Sequence, residues 1–267
     1  MNKGLLKKLG MIVAIGTIAI SIVGCAGNKS TALDAIKAKG KLVVGTSADY
    51  PPYEFHKEID GKDQIVGFDI SIAKELAKDL GVELEVNDMD FDGLLVALQA
   101  KKVDMVFAGM TPTAERKENA DFSDIYYNAE HGFIVKAGEE GKIKSIDDLK
   151  GKKIGVQKGS IQEALAKKSV PDAQLKSLAK VTDLVLDLKN NKVDAILVEL
   201  PVAKYNVEKN SDIALTSVVL KDEEGGSAIA MKKGSDELKA EINKTIKKLQ
   251  DEKKIEQFVI EANNLVD

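Results

Sequence analysis

Apolar and polar residues alternate along the chain after its first thirty or so residues, with short β-branched runs separated by longer segments of helical periodicity. The run at 42–44 is typical of a buried strand, and the apolar stripe within 68–80 predicts a helix. The other predicted elements are strands at 82–86, 103–108 and 228–230, and helices at 91–100, 161–168, 236–250 and 252–262. This alternation favours an α/β fold with parallel sheet.

The second half of the chain repeats the plan of the first. The segment at 40–45 is echoed at 151–156, and the Lys-Val-Asp motif at 102–104, which ends a helical pattern, is echoed at 192–194. Spacings of roughly 100 residues are too long for a solenoid and suit two similar lobes. Chance recurrence of short motifs is the alternative, but two matched segments in the same order favour the lobes.

The repeat predicts a chain that crosses between two lobes twice. We expect the first lobe to comprise 33–128 and 227–267 and the second to comprise 129–226, with crossings near 126–132 and through the polar stretch at 221–226. Two crossings form a hinge, so the fold should enclose a central cleft that closes on a ligand.

The N-terminus has the pattern of an export signal. A basic start precedes an uncharged apolar run at 11–23, which is too short to span a membrane, so 1–24 is predicted to be a signal peptide. Gly24 followed by Cys25 resembles a lipobox, which would make Cys25 the lipidated first residue of the mature protein. A secretory signal with a cysteine there by chance is the alternative. The small polar residues at 25–32 predict a tether.

Composition excludes several classes of protein. The 267 residues carry a net charge of −4 and one cysteine, which argues against a nucleic-acid binder and a disulfide scaffold. His56 and His131 lack metal-ligand spacing and are expected on the surface, and no glycine-rich nucleotide fingerprint occurs. A binding protein without metal or cofactor is therefore favoured over an enzyme.

Candidate binding residues follow the predicted strands, where ligands of open α/β sheets bind. Arg116 is the single arginine among 39 Lys and Arg residues, and its planar guanidinium pairs both oxygens of a carboxylate, although a surface arginine in a lysine-rich chain is the alternative. Ser160 opens a predicted helix and, with the N–H groups there, offers a second anion site after Gln157.

Other candidates suit an ammonium group and an apolar stem. Glu199, the Thr111 hydroxyl and the Gly109 carbonyl together provide ammonium acceptors, although a carboxylate at a strand end is more often solvated. Tyr50 and Phe91 suit the walls of the cleft, with ordinary core packing as the alternative. Carboxylate, ammonium and aromatic subsites together predict a free α-amino acid as ligand.

Several motifs then carry a resemblance to a known family. They are Val-Gly-Thr-Ser-Ala-Asp-Tyr-Pro-Pro-Tyr-Glu-Phe at 44–55 and the segments at 66–70, 108–116, 121–127 and 233–238. Through them the chain resembles, over 41–263, the solute-binding lipoproteins of polar amino acid ABC importers, bacterial solute-binding protein family 3. The resemblance implies a two-lobed, type II periplasmic-binding-protein-like fold and a monomer. It also implies delivery of a polar L-amino acid to an ABC permease with its ATPase, at the outer face of a Gram-positive cell membrane.

The resemblance also implies roles for individual residues. Arg116 corresponds to the carboxylate clamp, Gly109 and Thr111 to ammonium acceptors, Tyr50 and Phe91 to aromatic walls. The full set expected to bind the amino acid is Ser47, Tyr50, Phe91, Gly109, Thr111, Arg116, Gln157, Ser160, Ile161 and Glu199.

Two positions depart from the family pattern. Glu199 stands where the family usually has Asp, and Ser47 stands where members that select cationic or amide side chains often have Asp. A cationic or amide ligand remains slightly preferred. A surface amino acid sensor and, less favoured, a dehydratase-type enzyme with Glu199 as its acid are the alternative functions.

Overall fold

The computed structural model describes residues 30–265. The predicted signal peptide, Cys25 and most of the predicted tether lie outside the described residues. Between residues 30 and 265, no helix combines the length and apolar character needed to cross a membrane.

The described residues form an α/β fold, which confirms the predicted fold class. The helices are α1 (Ala32–Lys39), α2 (Phe68–Leu80), α3 (Leu94–Gln99), α4 (Ala114–Asn119), α5 (Ile161–Ser169), α6 (Val181–Lys189), α7 (Leu200–Lys209), α8 (Asp236–Asp251) and α9 (Lys254–Asn264). The strands are β1 (Lys41–Thr46), β2 (Asp49–Tyr50), β3 (Glu54–Ile59), β4 (Lys62–Val66), β5 (Glu83–Asp88), β6 (Met105–Val106), β7 (Ala120–Phe122), β8 (His131–Lys136), β9 (Lys153–Gln157), β10 (Gln174–Leu178), β11 (Ala195–Glu199), β12 (Ile213–Leu220) and β13 (Ala230–Lys232).

Most element boundaries agree with the periodicity, and three differ. The helix predicted at 91–100 begins as a 3₁₀ turn at Phe91–Gly93 before α3. The strand predicted at 103–108 pairs only at Met105–Val106, because the ladder to β1 ends there. The strand predicted at 228–230 is displaced towards the C-terminus, to Ala230–Lys232.

Two five-stranded sheets share one topology. In the first, with order β5-β1-β6-β13-β7, β1 runs parallel to β5 and β6, while β13 is antiparallel to both its neighbours. In the second, with order β10-β9-β11-β8-β12, β9 and β8 have the corresponding places and directions. A small sheet, β2-β3-β4, follows β1. We call the part built on the first sheet, together with this small sheet, the first lobe, and the part built on the second sheet the second lobe.

The repeated motifs have the same physical role in both sheets. Gly45 in β1 leaves room for the Leu94 side chain, and Gly155 in β9 leaves room for Leu184, since an added Cβ would approach these side chains to 3.2 and 2.9 Å. The aspartate of each Lys-Val-Asp motif accepts a backbone N–H from the first strand, Asp104 from Val43 and Asp194 from Lys153. The repeat is therefore structural and not a coincidence of short motifs.

The chain passes from β7 of the first sheet to β8 of the second, and from β12 back to β13. These two connections pair with each other, since Ser227 N–H donates to the Tyr127 carbonyl and Tyr126 N–H donates to the Ser227 carbonyl. After the return, α8 and α9 pack on α2. The carboxyl ends of β1 and β9 thus come to lie on either side of a cleft.

Candidate functional site

A small cavity lies between the two lobes, at the ends of β1, β6 and β9. Every residue of the predicted binding set lines it except Ser47 and Glu199. The lining residues are Tyr50, Phe91, Ala108, Gly109, Thr111, Arg116, Gln157, Ser160, Ile161 and Gln162. The structure therefore brings together side chains that are far apart in sequence.

Arg116 is held in place by contacts on both sides of the cleft. It lies in α4, whose N-cap Thr113 accepts a hydrogen bond from the Arg116 backbone N–H. One guanidinium nitrogen donates to the Thr111 carbonyl at 2.8 Å, and the other donates to the Gly159 carbonyl of the second lobe at 2.9 Å. Its Cζ lies 5.3 Å from the centre of the Phe91 ring, within range of a cation–π contact. Burial lowers the pKa of Arg116 only to about 10, so the group stays charged at neutral pH.

Tyr50 connects the first lobe to the second through its hydroxyl. That oxygen accepts a hydrogen bond from the Glu199 backbone N–H at 3.2 Å and from the Gln162 side-chain amide at 3.3 Å. The Tyr50 ring is nearly buried and packs beside Tyr53, with ring centroids 5.6 Å apart. Tyr50 is therefore a fixed wall of the cavity.

Ser160 is the N-cap of α5, where it orders the second-lobe side of the cavity. Its hydroxyl accepts from the Glu163 N–H at 3.3 Å and donates to the Gln157 carbonyl at 2.7 Å. Gly159, with φ of +74°, makes the turn that directs the chain into α5. The N–H groups of the first helical turn have no partner within the helix, so Ile161 and Gln162 place donor groups at the cavity.

Glu199 and Ser47 lie just behind the lining residues. The Glu199 carboxyl is buried and accepts a hydrogen bond from the Tyr53 hydroxyl. Burial raises the pKa of Glu199 to about 8, more strongly than the Tyr53 hydrogen bond lowers it. Ser47 donates its hydroxyl to Asp49 Oδ1 at 2.8 Å. Both therefore act on the cavity through a neighbour in this structure.

Asp69 positions the backbone of the first lobe beneath the cavity. Its carboxylate accepts the Gly109 N–H at 2.9 Å and the Tyr126 hydroxyl at 2.7 Å. Burial raises the pKa of Asp69 to about 6, although these hydrogen bonds act to lower it. Glu54 is also fully buried, and burial together with the nearby Asp69 raises its pKa well above the usual range. Acidic groups thus accumulate below the cleft.

Sequence reasoning missed Gln162 and assigned His131 wrongly. His131 is fully buried and not on the surface: its Nε2 lies 2.8 Å from an oxygen of Asp222, while Nδ1 lies 3.2 Å from the Gln162 amide nitrogen. Since the amide is a donor, Nδ1 accepts and Nε2 donates. Burial lowers the pKa of His131, so the ring is neutral at neutral pH. His56 is exposed, as expected.

Across residues 30–265, no group of three or more His, Cys, Asp or Glu side chains is arranged to hold a metal ion.

Comparison with known proteins identifies the class to which this fold and cleft belong. Residues 42–261 match the bacterial extracellular solute-binding proteins, family 3. The chain belongs to this family.

Two similar proteins indicate which kind of solute-binding protein the chain is. The chain is 42% identical over 258 residues, 95% of its own length and 96% of the relative's, to the arginine-binding extracellular protein ArtP of Bacillus subtilis (strain 168). It is 43% identical, with a TM-score of 0.85, to the structure of the amino acid ABC transporter substrate-binding protein AbpA from Streptococcus pneumoniae Canada MDR_19A bound to L-arginine, covering 88% of this chain and 99% of that one. The prediction of an amino acid-binding protein of an ABC importer is confirmed.

A third similarity bears on the enzyme alternative. The chain is 34% identical, with a TM-score of 0.79, to the ancestral amino acid-binding protein AncCDT-1, a precursor of cyclohexadienyl dehydratase, covering 86% of this chain and 98% of that one. That ancestor is itself named as an amino acid-binding protein. The similarities therefore favour a transport protein and not an enzyme.

Proposed function

We propose that this substrate-binding protein captures L-arginine and holds it in the cleft between its lobes for delivery to an ABC permease. The observation that carries the proposal is the charge around the cavity. One cationic side chain, Arg116, lines it, while two buried acidic residues, Asp49 and Glu199, are hydrogen-bonded to the lining residues Gln157 and Tyr50. An amino acid with one carboxylate and two cationic groups matches this arrangement.

Arg116 is the group that pairs with the ligand carboxylate in this proposal. Its fork already spans both lobes, and Ser160 and Ile161 add the N-terminal end of α5 on the opposite side. The ligand ammonium is assigned to the Thr111 hydroxyl and the Gly109 carbonyl, with the Glu199 carboxyl behind Tyr50 supplying negative charge. A nearby cation favours the ionised form of Glu199, whose pKa of about 8 otherwise keeps it protonated at neutral pH.

Gln157 offers a hydrogen-bond acceptor to a ligand whose side chain is rich in N–H donors. Its amide nitrogen lies 3.4 Å from Asp49 Oδ1 and 3.2 Å from the Ala179 carbonyl, and both partners are acceptors. These two contacts fix which end of the amide is nitrogen, so the carbonyl oxygen is the end left to accept from a ligand. Tyr50 and Phe91 provide apolar surface for the methylene stem of the ligand.

Some of the similar proteins are described with arginine, and others are described with a different amino acid. ArtP and AbpA are described with arginine, whereas the L-cystine-binding protein TcyJ of Escherichia coli (strain K12) is 35% identical over 250 residues, 92% of each chain. Cystine is therefore the competing ligand for any binding test.

Isothermal titration calorimetry on the form beginning after Cys25 tests the ligand. Arginine, lysine, ornithine, citrulline, glutamine, histidine and cystine form the panel. We expect arginine to bind at least tenfold more tightly than citrulline, its neutral isostere, because a charge-assisted hydrogen bond is worth about 1.5–3 kcal/mol. Equal affinity for arginine and citrulline, or tighter binding of cystine, would refute arginine as the ligand.

The membrane arrangement completes the proposal. Cys25 is proposed to carry the lipid that holds the protein, as a monomer, at the outer face of a Gram-positive cell membrane, with 25–32 as its tether. The support is the lipobox-like Gly24-Cys25 pair directly after an apolar run.

A further inference from the structure

Asp49 belongs to β2 of the first lobe, yet it contacts the second lobe at two points. Its Oδ2 accepts the backbone N–H of Val181 at 2.5 Å, and its Oδ1 lies 3.4 Å from the amide nitrogen of Gln157. Ser47 donates to Oδ1 at 2.8 Å from within the first lobe. Asp49 as a residue is 6% exposed. One buried carboxylate thus joins two elements across the cleft.

The Val181 contact supplies a cap that α6 lacks in its own sequence. Lys180 occupies the N-cap position and makes no side-chain capping hydrogen bond. A carboxylate at this end satisfies a free N–H of the first helical turn and interacts favourably with the helix dipole. Burial raises the pKa of Asp49, while the Val181 N–H and the Ser47 hydroxyl act in the opposite direction. The capping acid of this second-lobe helix therefore comes from the first lobe.

Because of the internal repeat, the Asp49 contact with α6 has a counterpart, made by the residue that follows β9 and the turn that precedes α3. Lys158, which follows β9, lies 2.7 Å from Asp92 at the start of the turn before α3. The side chains of Lys158 and Asp92 are 61% and 31% exposed, so solvent and salt weaken this ion pair. Of the two corresponding contacts, the buried one at Asp49 is the stronger.

We propose that Asp49 is a positioning residue for ligand capture, which caps α6 across the cleft when the lobes close and thereby sets how fast the ligand leaves. The inference rests on the proposed function, because a contact between lobes affects ligand release only if the lobes close on the ligand. Asp49 does not line the cavity and acts through closure. It therefore stabilises the closed, loaded form.

Stopped-flow kinetics with L-arginine as probe tests this role. Asp49→Ala should raise the dissociation rate constant by about ten- to a hundredfold, because a buried, charge-assisted hydrogen bond is lost. The association rate constant should stay within about twofold, since the contact forms after the ligand has entered. The melting temperature of the ligand-free protein should change little. Loss of a residue with a merely structural role would instead lower it.

Val181→Pro removes the same hydrogen bond without altering Asp49. Proline is favoured at the first position of a helix, and Lys180, with ψ of 136°, already has the backbone that precedes proline. Val181→Pro should therefore raise the dissociation rate constant as Asp49→Ala does. The double variant should be no faster than either single variant, because both remove one interaction.

Three controls isolate the contact. Val181→Ala shortens the side chain but keeps the N–H, Asp63→Ala removes an exposed acid of the same small sheet, and Lys158→Ala removes the exposed ion pair. Each should change the dissociation rate by less than about threefold.

Two results would overturn the inference. An Asp49→Ala variant with unchanged dissociation would do so, and so would rapid release from Asp49→Ala combined with normal release from Val181→Pro, which would mark Asp49 as a direct ligand contact. Failure of arginine to bind the wild-type protein overturns the proposed ligand alone. The same rates are then measured with the amino acid that most raises the wild-type melting temperature.

Discussion

The buried carboxyl of Glu199, at the end of β11 in the second lobe, accepts a hydrogen bond from the hydroxyl of Tyr53 in the first lobe. This contact keeps an acid at the centre of the molecule, directly behind the Tyr50 wall of the cavity. Burial raises the pKa of Glu199 to about 8, against 4.5 for an exposed glutamate. The group therefore links the protonation of the protein to its stability and to ligand binding.

The stability of the ligand-free protein should fall as pH rises from about 4.5 to about 8 and should level off above that. Between pH 4.5 and pH 8 the folded protein binds a proton at Glu199 that the unfolded chain does not, so the free energy of unfolding decreases with pH, by at most about 1.4 kcal/mol per unit. Melting temperatures measured across this range test the prediction. Glu199→Gln, which cannot titrate, should flatten the curve; a variant curve parallel to that of the wild type contradicts it.

Binding should release a proton from Glu199 at pH 7. The carboxyl is protonated in the ligand-free protein and ionised beside the ligand ammonium, so up to about one proton leaves per ligand bound. Titrations in phosphate and in Tris, which differ in ionisation enthalpy, should give different apparent binding enthalpies. Identical enthalpies in both buffers would show that Glu199 does not change its protonation state on binding.

Arg116→Lys should weaken amino acid binding more than tenfold. The two guanidinium nitrogens reach Thr111 and Gly159 on opposite sides of the cleft, and a single ammonium cannot reproduce that fork. Calorimetry measures the affinity, and Lys117→Ala, at the neighbouring exposed position, is the matched control. Unchanged affinity in Arg116→Lys would remove Arg116 from the proposed carboxylate site.

Gly67→Ala should destabilise the protein by more than about 3 kcal/mol. Gly67 has φ of +131°, and an added Cβ would lie 2.1 Å from the Tyr53 carbonyl oxygen. Gly61 also has a positive φ, of +72°, but its Cβ would meet nothing within 4 Å, so Gly61→Ala should cost only about 1 kcal/mol. Chemical denaturation of both variants measures the difference. Similar losses in the two would mean that the close approach at Gly67 relaxes cheaply.

Cys25→Ala should free the protein from the membrane or leave it as an uncleaved precursor. A thioether-linked lipid and an acylated N-terminus both depend on this cysteine in a lipobox. Cell fractionation with mass spectrometry of the product measures the outcome. A mature-sized variant that stays with the membrane would reject the lipobox interpretation.

Local patterns predicted the fold well, because each depends on nearby residues. The stripe in α2 needs only the helical period, and Gly81, with φ of 71°, ends that helix. The Lys-Val-Asp repeat can be recognised as a short motif, although Asp104 and Asp194 accept hydrogen bonds from residues 61 and 41 positions earlier. These features could be read from the sequence without knowledge of the tertiary structure.

Contacts across the cleft could not be predicted in the same way. Asp49 and Gln162 occupy ordinary positions after a strand and within a helix, and their partners Val181 and Tyr50 lie more than 100 residues away. The sequence predicts His131 on the surface, because no spacing rule indicates that Asp222 will pack against it and bind its imidazole ring. Burial of a polar residue depends on partners that only the folded chain brings together.

The place of β13 in the first sheet determines the order in which the molecule can be assembled. The second lobe draws its strands from one continuous stretch, from His131 to Leu220, so all the strands of its sheet are present once that stretch has been synthesised. The first sheet stays open between β6 and β7 until Ala230–Lys232 arrives. Loop closure over so long a separation is slow. The second lobe should therefore fold first and on its own, while the lobe that begins the chain is the last to be completed.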